Sequence, residues 1–242
     1  MKYQKLRTGV IFTNITRMCT RLINPSVGEL LKTAELSGTL LDYYHCDISK
    51  LESTVPVFER AVADARHPLR GLVNCAAIGW VGPSISFPID EAKHIIDVNL
   101  IGTMICAQAA AALVKENTFS ASFVLIASMS GYIVNKGTPN AAYAASKAGV
   151  HQLTRNLASE WGHAEDGPSI RVNSVSPGVI RTPMTSSVLS NGDLEKMWAQ
   201  ESMLKRLSDP EEYRGSVVFL LSDASSYVTG ADLLVDGGCT SW

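Results

Sequence analysis

Short apolar segments alternate with longer segments of helical periodicity along most of the chain. Four apolar runs are too short and too rich in β-branched residues to be helices: LRGLVNCAAI (69–78), SFVLIAS (122–128), IRVNSVSPG (170–178) and ADLLVDGG (231–238). Such runs are typical of buried central strands. The run LLDYYHCD (40–47) is a weaker strand candidate.

Three longer segments between these runs have helical spacing: 90–116, 141–162 and 209–223. The last begins with Asp209-Pro210, a capping residue followed by proline in the first turn. Strands that alternate with helices predict a parallel sheet covered by helices on both faces. No repeat, linker or change of composition divides the chain, so we expect one α/β domain with a doubly wound parallel sheet.

The composition restricts the partners of such a domain. The 242 residues suffice for a core of ordinary size. A formal net charge of −2 and a charged fraction of 18% provide no basic surface for nucleic acid and no acidic tail. No uninterrupted apolar run approaches the ~18 residues of a membrane helix. We therefore expect a small-molecule partner, no nucleic acid and no membrane.

The cysteines indicate a reducing compartment. The five residues Cys19, Cys46, Cys75, Cys106 and Cys239 are odd in number and widely spaced. They form no CxxC pair and no cluster with metal-ligand spacing, which predicts reduced thiols, no metal site and a cytoplasmic protein. Residues 1–21 contain Lys and Arg but no acidic residue, so a mitochondrial presequence stays open as the alternative.

Chemically useful residues follow the predicted strands. In an open parallel sheet, ligands bind beyond the carboxyl ends of the strands. The residues at these ends are Asp47, 74–77, 128–131 and 177–182, and they are either polar or permissive for close backbone approach. We expect a binding crevice along this edge.

Tyr143 and Lys147 are the strongest candidates for chemistry. Residues four apart on a helix share a face, with Cβ atoms ~5–6 Å apart. A phenol has a pKa of ~10, and a nearby ammonium favours the phenolate. The pair is common by chance, but Ser128 ends a strand 15 residues earlier and would face the same crevice. Asn99 lies within a predicted helix, where it either faces solvent or forms a kink and holds a water.

Five motifs, in this order and spacing, resemble the classical short-chain dehydrogenases/reductases: DVNLIGT, VLIASMSG, YAASKAG, RVNSVSPGVIRTPM and YVTGADLLVDGG. The resemblance runs from about Asp42 to Gly238. SMSGYIVN followed by Tyr143 resembles the fungal branch of NADP(H)-dependent ketose, polyol and carbonyl reductases, such as sorbose or xylulose reductases and mannitol dehydrogenases. The resemblance implies a Rossmann-like fold, NADP or NAD as cofactor, and a homodimer or homotetramer formed through the helices 90–116 and 141–162.

The resemblance also implies catalytic roles. Tyr143 would protonate the carbonyl oxygen in reduction and act as the base in the reverse direction. Lys147 would lower the pKa of Tyr143 and hold the ribose hydroxyls of the nicotinamide nucleotide. Ser128 would donate a hydrogen bond to the substrate carbonyl, with Ser130 as the rival serine, and Asn99 would hold a water.

Cofactor contacts are implied in the same way. Asp47 matches the acid that binds adenine, and the loop that anchors the nicotinamide carboxamide corresponds to Pro177, Gly178, Ile180 and Thr182. The family's Asn-Ala-Gly turn corresponds to the segment after Asn74, with Cys75 in place of Asn and Ala77 in place of Gly. Backbone contacts there would not depend on these side chains.

The N-terminal segment departs from the family. The family's first strand and glycine-rich turn hold the pyrophosphate at a helix N-terminus, but residues 1–27 contain only Gly9. We therefore assign 1–27 as an atypical segment and 28–242 as the reductase domain. Either the chain is an incomplete or misassembled form of a full-length reductase, or it is a variant that has lost dinucleotide binding. In both cases we expect marginal stability and weak cofactor affinity.

The segment 184–203 is either a solvent-exposed amphipathic helix or, as in the family, a lid over the substrate. In a lid, Met197 and Trp198 would border the pocket, and Trp80 could line it. No cluster of Arg or Lys marks an anionic substrate, so a neutral ketone, ketose or polyol is expected. The leading hypothesis is hydride transfer between NADP(H) or NAD(H) and a carbonyl or secondary alcohol. The alternative is a non-catalytic relative that acts by oligomerisation or partner binding.

Overall fold

The computed structural model describes residues 9–13, 32, 34–36, 38, 40–116, 118–163, 165, 167–190 and 192–242. Two strands near the N-terminus, β1 (Gly9–Thr13) and β2 (Leu41–His45), form an antiparallel pair. The central sheet is parallel and has the order β3-β4-β5-β6, with strands Gly71–Asn74, Ala121–Ile126, Ile170–Pro177 and Asp232–Val235. The four predicted strands are therefore confirmed as neighbours in one sheet, but the prediction that all are buried central strands is wrong. Among the described strands β3 and β6 are the edges, and β6 is only partly buried.

Seven α-helices connect and cover these strands in the described part of the chain. They are α1 (Leu51–Asp64), α2 (Ile89–Ile96), α3 (Gly102–Lys115), α4 (Ala141–Trp161), α5 (Pro183–Leu189), α6 (Gly192–Glu201) and α7 (Arg214–Leu221). The predicted helix 209–223 begins with a 3-10 turn, Pro210–Tyr213. The carboxylate of Glu212 accepts a hydrogen bond from the Asp209 backbone N–H at 3.0 Å, so the capping signal at Asp209-Pro210 was correct.

The middle strand β4 is buried on both faces. Successive side chains of a strand point to opposite sides of the sheet. Phe123 and Leu125 belong to the larger apolar cluster, which also contains side chains of α1, α3 and α4. Val124 packs on the other side with Tyr213 and Leu220. This confirms the prediction of a sheet covered by helices on both faces.

The predicted helix 90–116 is α2 and α3 joined without a break by a π-helical turn, Asp97–Ile101. The whole helix, Ile89–Lys115, is long and apolar enough to cross a membrane by length and mean hydropathy. About 61% of its most apolar stretch is buried inside the protein, because the helix packs against the sheet. The sequence contains no uninterrupted apolar run of membrane-spanning length, yet the mean hydropathy of this helix is as high as that of a membrane-spanning helix.

The strand candidate 40–47 is confirmed as β2, but this strand does not join the parallel sheet. It pairs antiparallel with β1, with Gly9 opposite His45 and Thr13 opposite Leu41. Central parallel strands are buried on both faces, whereas Asp42, Tyr43 and His45 are exposed. In the described part of the chain, no strand hydrogen-bonds to the outer edge of β3, where a Rossmann sheet has its first strand. The rest of the atypical segment 1–27 lies outside the described residues.

Candidate active site

The carboxyl end of β4 leads directly into the first part of the site. Ser128 follows the strand by two residues and precedes the 3-10 turn Met129–Gly131. Its Oγ accepts a hydrogen bond from the Ser130 backbone N–H at 3.1 Å. Ser128 and Ser130 are both buried, with 7% and 5% exposure. The turn therefore fixes the hydroxyl of Ser128 at the end of the sheet.

The first turns of α4 bring Tyr143 and Lys147 to the same end of β4. The Lys147 ammonium donates a hydrogen bond to the Ile126 carbonyl at 2.7 Å, two residues before Ser128. Its Nζ lies 5.8 Å from the centre of the Tyr143 ring. Lys147 is 3% exposed. The structure therefore brings together three of the predicted side chains, Ser128, Tyr143 and Lys147.

Burial dominates the electrostatics of this group. It lowers the pKa of Lys147 to about 8, against the opposing effect of Cys75. It raises the pKa of Tyr143, while a hydrogen bond with Ser128 lowers it. The net direction for Tyr143 is opposite to the lowering by Lys147 that the helix spacing implied. The reason is that removal of the phenol from water disfavours the phenolate, and the ammonium is held at the Ile126 carbonyl.

Asn99 is fully buried in the π-helical turn, so the solvent-facing alternative is wrong. Its Oδ1 accepts from the Ile78 N–H at 2.8 Å, and its Nδ2 donates to the Ile78 carbonyl at 2.9 Å and to Ser146 Oγ at 3.0 Å. Ser146 Oγ in turn donates to the Tyr143 carbonyl at 2.7 Å. The expected kink is present as the π turn, and the side chain ties the loop after β3 to α4.

Asn135 was not among the residues predicted from the sequence, but it belongs to the same group of polar side chains. Its amide Nδ2 is 2.9 Å and its Oδ1 3.1 Å from Ser130 Oγ. Ser130 Oγ is also 3.1 Å from Ser128 Oγ. The signal in the sequence was the segment SMSGYIVN, which ends on this residue.

The residues expected to contact the cofactor near β2 and β3 have different surroundings. The Asp47 carboxylate accepts hydrogen bonds from the backbone N–H and hydroxyl of Ser49, which lower its pKa. Asn74 is buried and donates to Thr103 Oγ1 at 2.7 Å, so its side chain serves the packing of β3 against α3. Cys75, by contrast, is exposed.

The loop expected to hold the carboxamide follows β5. The Gly178 N–H donates to the Val235 carbonyl at 3.0 Å, and a Cβ at Gly178 would lie 2.8 Å from Asp236 Cα. Glycine is therefore required for the close approach of the two strand ends. The other loop residues are Pro177, which ends β5; Ile180, which bridges to Ser208; and Thr182, which precedes α5.

The predicted lid consists of two helices, α5 and α6. A Cβ at Gly79 would lie 3.6 Å from both Met184 Sδ and Tyr143 Cδ2, so Met184 of α5 and the Tyr143 ring both lie next to Gly79. Trp198 is 9% exposed and donates to the Lys136 carbonyl at 3.0 Å. The interpretation of 184–203 as a single exposed helix is therefore wrong. Met197 packs close to Gly137.

Trp80, a candidate for lining the pocket, packs edge-on against Phe87, with ring centres 6.0 Å apart. Among the described residues, no group of three or more His, Cys, Asp or Glu could hold a metal ion.

The donors present fit the nicotinamide end of a dinucleotide. Lys147 has three N–H donors, and only the bond to the Ile126 carbonyl is made within the described residues. Two donors are thus available to ribose hydroxyls beside Tyr143. No glycine-rich turn for the pyrophosphate is found in the sequence. The residues present therefore fit the nicotinamide ribose.

Comparisons with known proteins give a consistent result. The family model described as enoyl-(acyl carrier protein) reductase matches residues 16–240. A short chain dehydrogenase/reductase of Aspergillus versicolor is 46% identical over 215 residues, which cover 88% of this chain and 73% of that protein. The NADH-dependent L-xylulose reductase of Ambrosiozyma monospora is 44% identical over 203 residues, or 82% of this chain and 73% of that protein.

A solved structure confirms the fold. The NADPH-dependent 3-quinuclidinone reductase of Rhodotorula rubra matches with a TM-score of 0.81 at 31% identity. The match covers 91% of this chain and 80% of that one. The expected Rossmann-like α/β architecture is therefore correct for the region matched.

Proposed function

Because this chain belongs to the short-chain dehydrogenase/reductase family of NAD(P)-dependent oxidoreductases, we propose that it reduces a small neutral ketone, most simply a ketose, to the secondary alcohol. The observation that carries the proposal is the convergence of Ser128, Tyr143 and Lys147 at the end of β4. In the opposite direction, the oxidised nicotinamide nucleotide would accept the hydride from the alcohol, and Tyr143 would accept the hydroxyl proton. The non-catalytic alternative has no comparable support.

The proposed mechanism assigns a proton or a hydrogen bond to each side chain. The bound nicotinamide nucleotide supplies or accepts the hydride. Tyr143 donates its phenolic proton to the carbonyl oxygen, and its raised pKa keeps the acid form present at neutral pH. Ser128 donates a hydrogen bond to the same oxygen, since charge develops there in the transition state. Lys147 holds the ribose hydroxyls, and its positive charge stabilises the phenolate that remains.

Asn99 has a structural role in the proposed mechanism. Its hydrogen bonds to Ile78 and Ser146 position the loop after β3 and the first turns of α4. Met184, which lies next to Gly79 as the Tyr143 ring does, is placed to limit the access of water. Proton transfer then occurs in a site from which bulk water is largely excluded.

A neutral hydroxylated substrate is supported by the charges of the lid. Arg181 pairs with Glu195 at 2.7 Å, and Lys136 pairs with Glu201 at 2.9 Å. These cations are therefore already neutralised and offer little attraction to a phosphate or carboxylate. The names of the L-xylulose reductase and the 3-quinuclidinone reductase are both consistent with a small ketone.

Three finer points belong to the proposal. We expect NADP(H) to be preferred, with NAD(H) as a possible substitute held by the same residues: Asp47, Asn74, Cys75, Tyr143, Lys147, Pro177, Gly178, Ile180 and Thr182. We expect a homodimer or homotetramer through the helices 90–116 and 141–162. In the first of these, Ile101 and Met104 are 42% and 38% exposed. Cytoplasmic localisation suits the free thiols of Cys46, Cys75, Cys106 and Cys239.

The test combines nucleotide binding and turnover. Fluorescence titration with NADPH and NADH is followed by initial rates on L-xylulose, other ketoses and 3-quinuclidinone. Tyr143→Phe should lower kcat/KM by at least ~10²-fold, as expected for loss of a general acid, while nucleotide binding is retained. Tyr227→Phe is the matched control, because Tyr227 is fully exposed. Failure of both nucleotides to bind at millimolar concentration would refute the proposed function and favour the non-catalytic alternative.

A further inference from the structure

A second group of polar side chains lies next to the serine turn (128–131), and the proposed mechanism does not use it. Asp232, at the start of β6, accepts hydrogen bonds from the hydroxyls of Ser174 at 2.5 Å and Ser176 at 2.9 Å. Its second carboxylate oxygen accepts a hydrogen bond from the Tyr132 hydroxyl at 3.1 Å. Ser176 Oγ is also 2.8 Å from His151 Nε2. One carboxylate therefore connects the segment after β4, strand β5 and helix α4.

The hydrogen bonds of this group have a defined direction. A serine hydroxyl has a single proton to donate, and that of Ser176 goes to Asp232. Ser176 Oγ therefore accepts from His151 Nε2, which carries the hydrogen. Burial lowers the pKa of His151 against the opposing effect of Asp232, and the positive charges of Arg155 and Lys147 lower it as well. At neutral pH the imidazole is therefore neutral, with its hydrogen on Nε2.

These directions exclude a nucleophilic role for Ser176. In a serine–histidine–aspartate triad, the serine donates to the histidine, and the histidine donates to the carboxylate. Here His151 donates to Ser176, and Ser176 donates to Asp232. Ser176 is also fully buried, with 0% exposure, so a substrate cannot reach its hydroxyl. What this group can do is hold structural elements in place.

Tyr132 and His151 hold the serine turn against α4. Tyr132 directly follows the turn, and its ring stacks on the His151 ring with centres 4.1 Å apart. Burial and the charge of Asp232 raise the pKa of Tyr132 to about 12, so its hydroxyl keeps the proton that it donates. A Cβ at Gly131 would lie 2.6 Å from His151 Cε1 and 2.8 Å from the Ala148 backbone N. The turn therefore lies directly on the helix, at the place where these two rings are held.

We propose that Asp232 is a positioning residue that fixes the serine turn on α4 through Tyr132 and His151. Ser128 belongs to the turn and Tyr143 to the helix, so Asp232 sets the hydrogen bond between these two side chains. The inference rests on the proposed function. Asp232 acts through other residues and not on the substrate. Its contribution belongs to kcat, because a misplacement of about 1 Å can cost ~10²-fold in rate.

Tyr132→Phe removes the bond between the segment after β4 and the carboxylate. The ring can still stack on His151, and Tyr132 is 51% exposed, so the change in stability should be small. We expect kcat for the ketone to fall roughly tenfold, within the ~10²-fold range for misplaced groups, while the nucleotide KM is unchanged. Tyr227→Phe is the matched control, since Tyr227 is fully exposed, and it should retain kcat. Rates are measured well below the Tm of each variant.

Substitutions at Asp232 test whether the carboxylate is the anchor. Asp232→Asn keeps the shape, and its amide can accept from the serines and donate to the Tyr132 oxygen, so most of kcat should be retained. Asp232→Ala removes the anchor and should lower kcat at least as much as Tyr132→Phe does. In the Asp232→Ala background, Tyr132→Phe should alter kcat by less than about twofold, because the two residues act as one unit.

Two variants of His151 test the connection to α4, and they decide it even if Asp232→Ala fails to fold. His151→Gln and His151→Leu both lose the stacked ring. Only the glutamine amide can donate to Ser176 Oγ. We therefore expect a higher kcat for His151→Gln than for His151→Leu, with the same nucleotide KM in both.

The outcomes distinguish this inference from the proposed function. An unmodified protein without turnover would refute the proposed function itself. An active protein in which Tyr132→Phe retains full kcat would overturn the role of Asp232, whether or not Tm decreases, because a purely structural hydrogen bond changes stability alone. Additive losses for Tyr132→Phe and Asp232→Ala, or equal kcat in the two His151 variants, would overturn it as well.

Discussion

Removal of the Asn99 side chain should destabilise the protein, and the structure permits an estimate of how much. Asn99 is fully buried and makes three hydrogen bonds, two to the backbone of Ile78 and one to Ser146 Oγ. In Asn99→Ala, the Ile78 N–H and carbonyl lose their partners. Each unsatisfied buried group costs about 1–3 kcal/mol. Because Ile78 is only partly buried, we expect a total loss of about 2–4 kcal/mol in the free energy of unfolding.

The assay is thermal unfolding followed by circular dichroism. For a chain of this size, 1 kcal/mol corresponds to a change in Tm of roughly 2–4 °C, so a decrease of roughly 4–16 °C is expected. Asn156→Ala is the matched control. Asn156 is exposed on α4 and donates only to the Gln152 carbonyl of its own helix at 3.0 Å. Its substitution should change stability by no more than ~0.5 kcal/mol.

The same experiment distinguishes two roles of Asn99. A residue that only holds a water for proton transfer would lower activity without lowering Tm. If Asn99→Ala and Asn156→Ala unfold within about 1 °C of each other, less than 1 kcal/mol separates them, and the structural role is refuted. A large decrease in Tm would show that the hydrogen bonds of the Asn99 side chain stabilise the folded site.

Two further expectations concern the serine turn and Lys147. Gly131→Ala should lower the free energy of unfolding by about 1–3 kcal/mol, because the added Cβ would lie 2.6 Å from His151 Cε1. Gly215→Ala is the control, because its added Cβ would meet no atom within 4 Å. It should be neutral or stabilising in the same denaturation assay. Burial lowers the pKa of Lys147 to about 8, so kcat/KM for reduction should fall as pH rises through about 8 and the ammonium is lost. As the pH rises, Lys147 loses its proton at a lower pH in the folded protein than in the unfolded chain. The free energy of unfolding should therefore rise between about pH 8 and ~10.4. In Lys147→Met this rise should be absent from urea titrations, and its persistence would contradict the assignment.

The pattern of the chain was sufficient to predict the architecture of the central sheet. Apolar runs bounded by small residues matched β3 to β6, and helical spacing matched α4 almost to the residue. The family motifs located Ser128, Tyr143 and Lys147, and the structure brings them together at the end of β4. These features depend on local periodicity and on spacing along one helix, which are present in the sequence itself.

The surroundings of those residues could not be predicted in the same way. The sequence did not indicate that Asn99 would bond Ile78, 21 residues away, and Ser146, 47 residues away. It also did not indicate that Asn135 would contact Ser130 or that β2 would pair antiparallel with β1. Each of these depends on which separate elements pack together.

By itself, then, the sequence determined the family, the parallel sheet and the candidates for the proton-transferring side chains. Only the tertiary structure decided the charge behaviour of those side chains. The spacing of Tyr143 and Lys147 implied a lowered phenol pKa, whereas the folded protein raises it and lowers that of Lys147. The physical reason is that a pKa depends on removal from water and on nearby partners, and both arise when distant segments pack around the site.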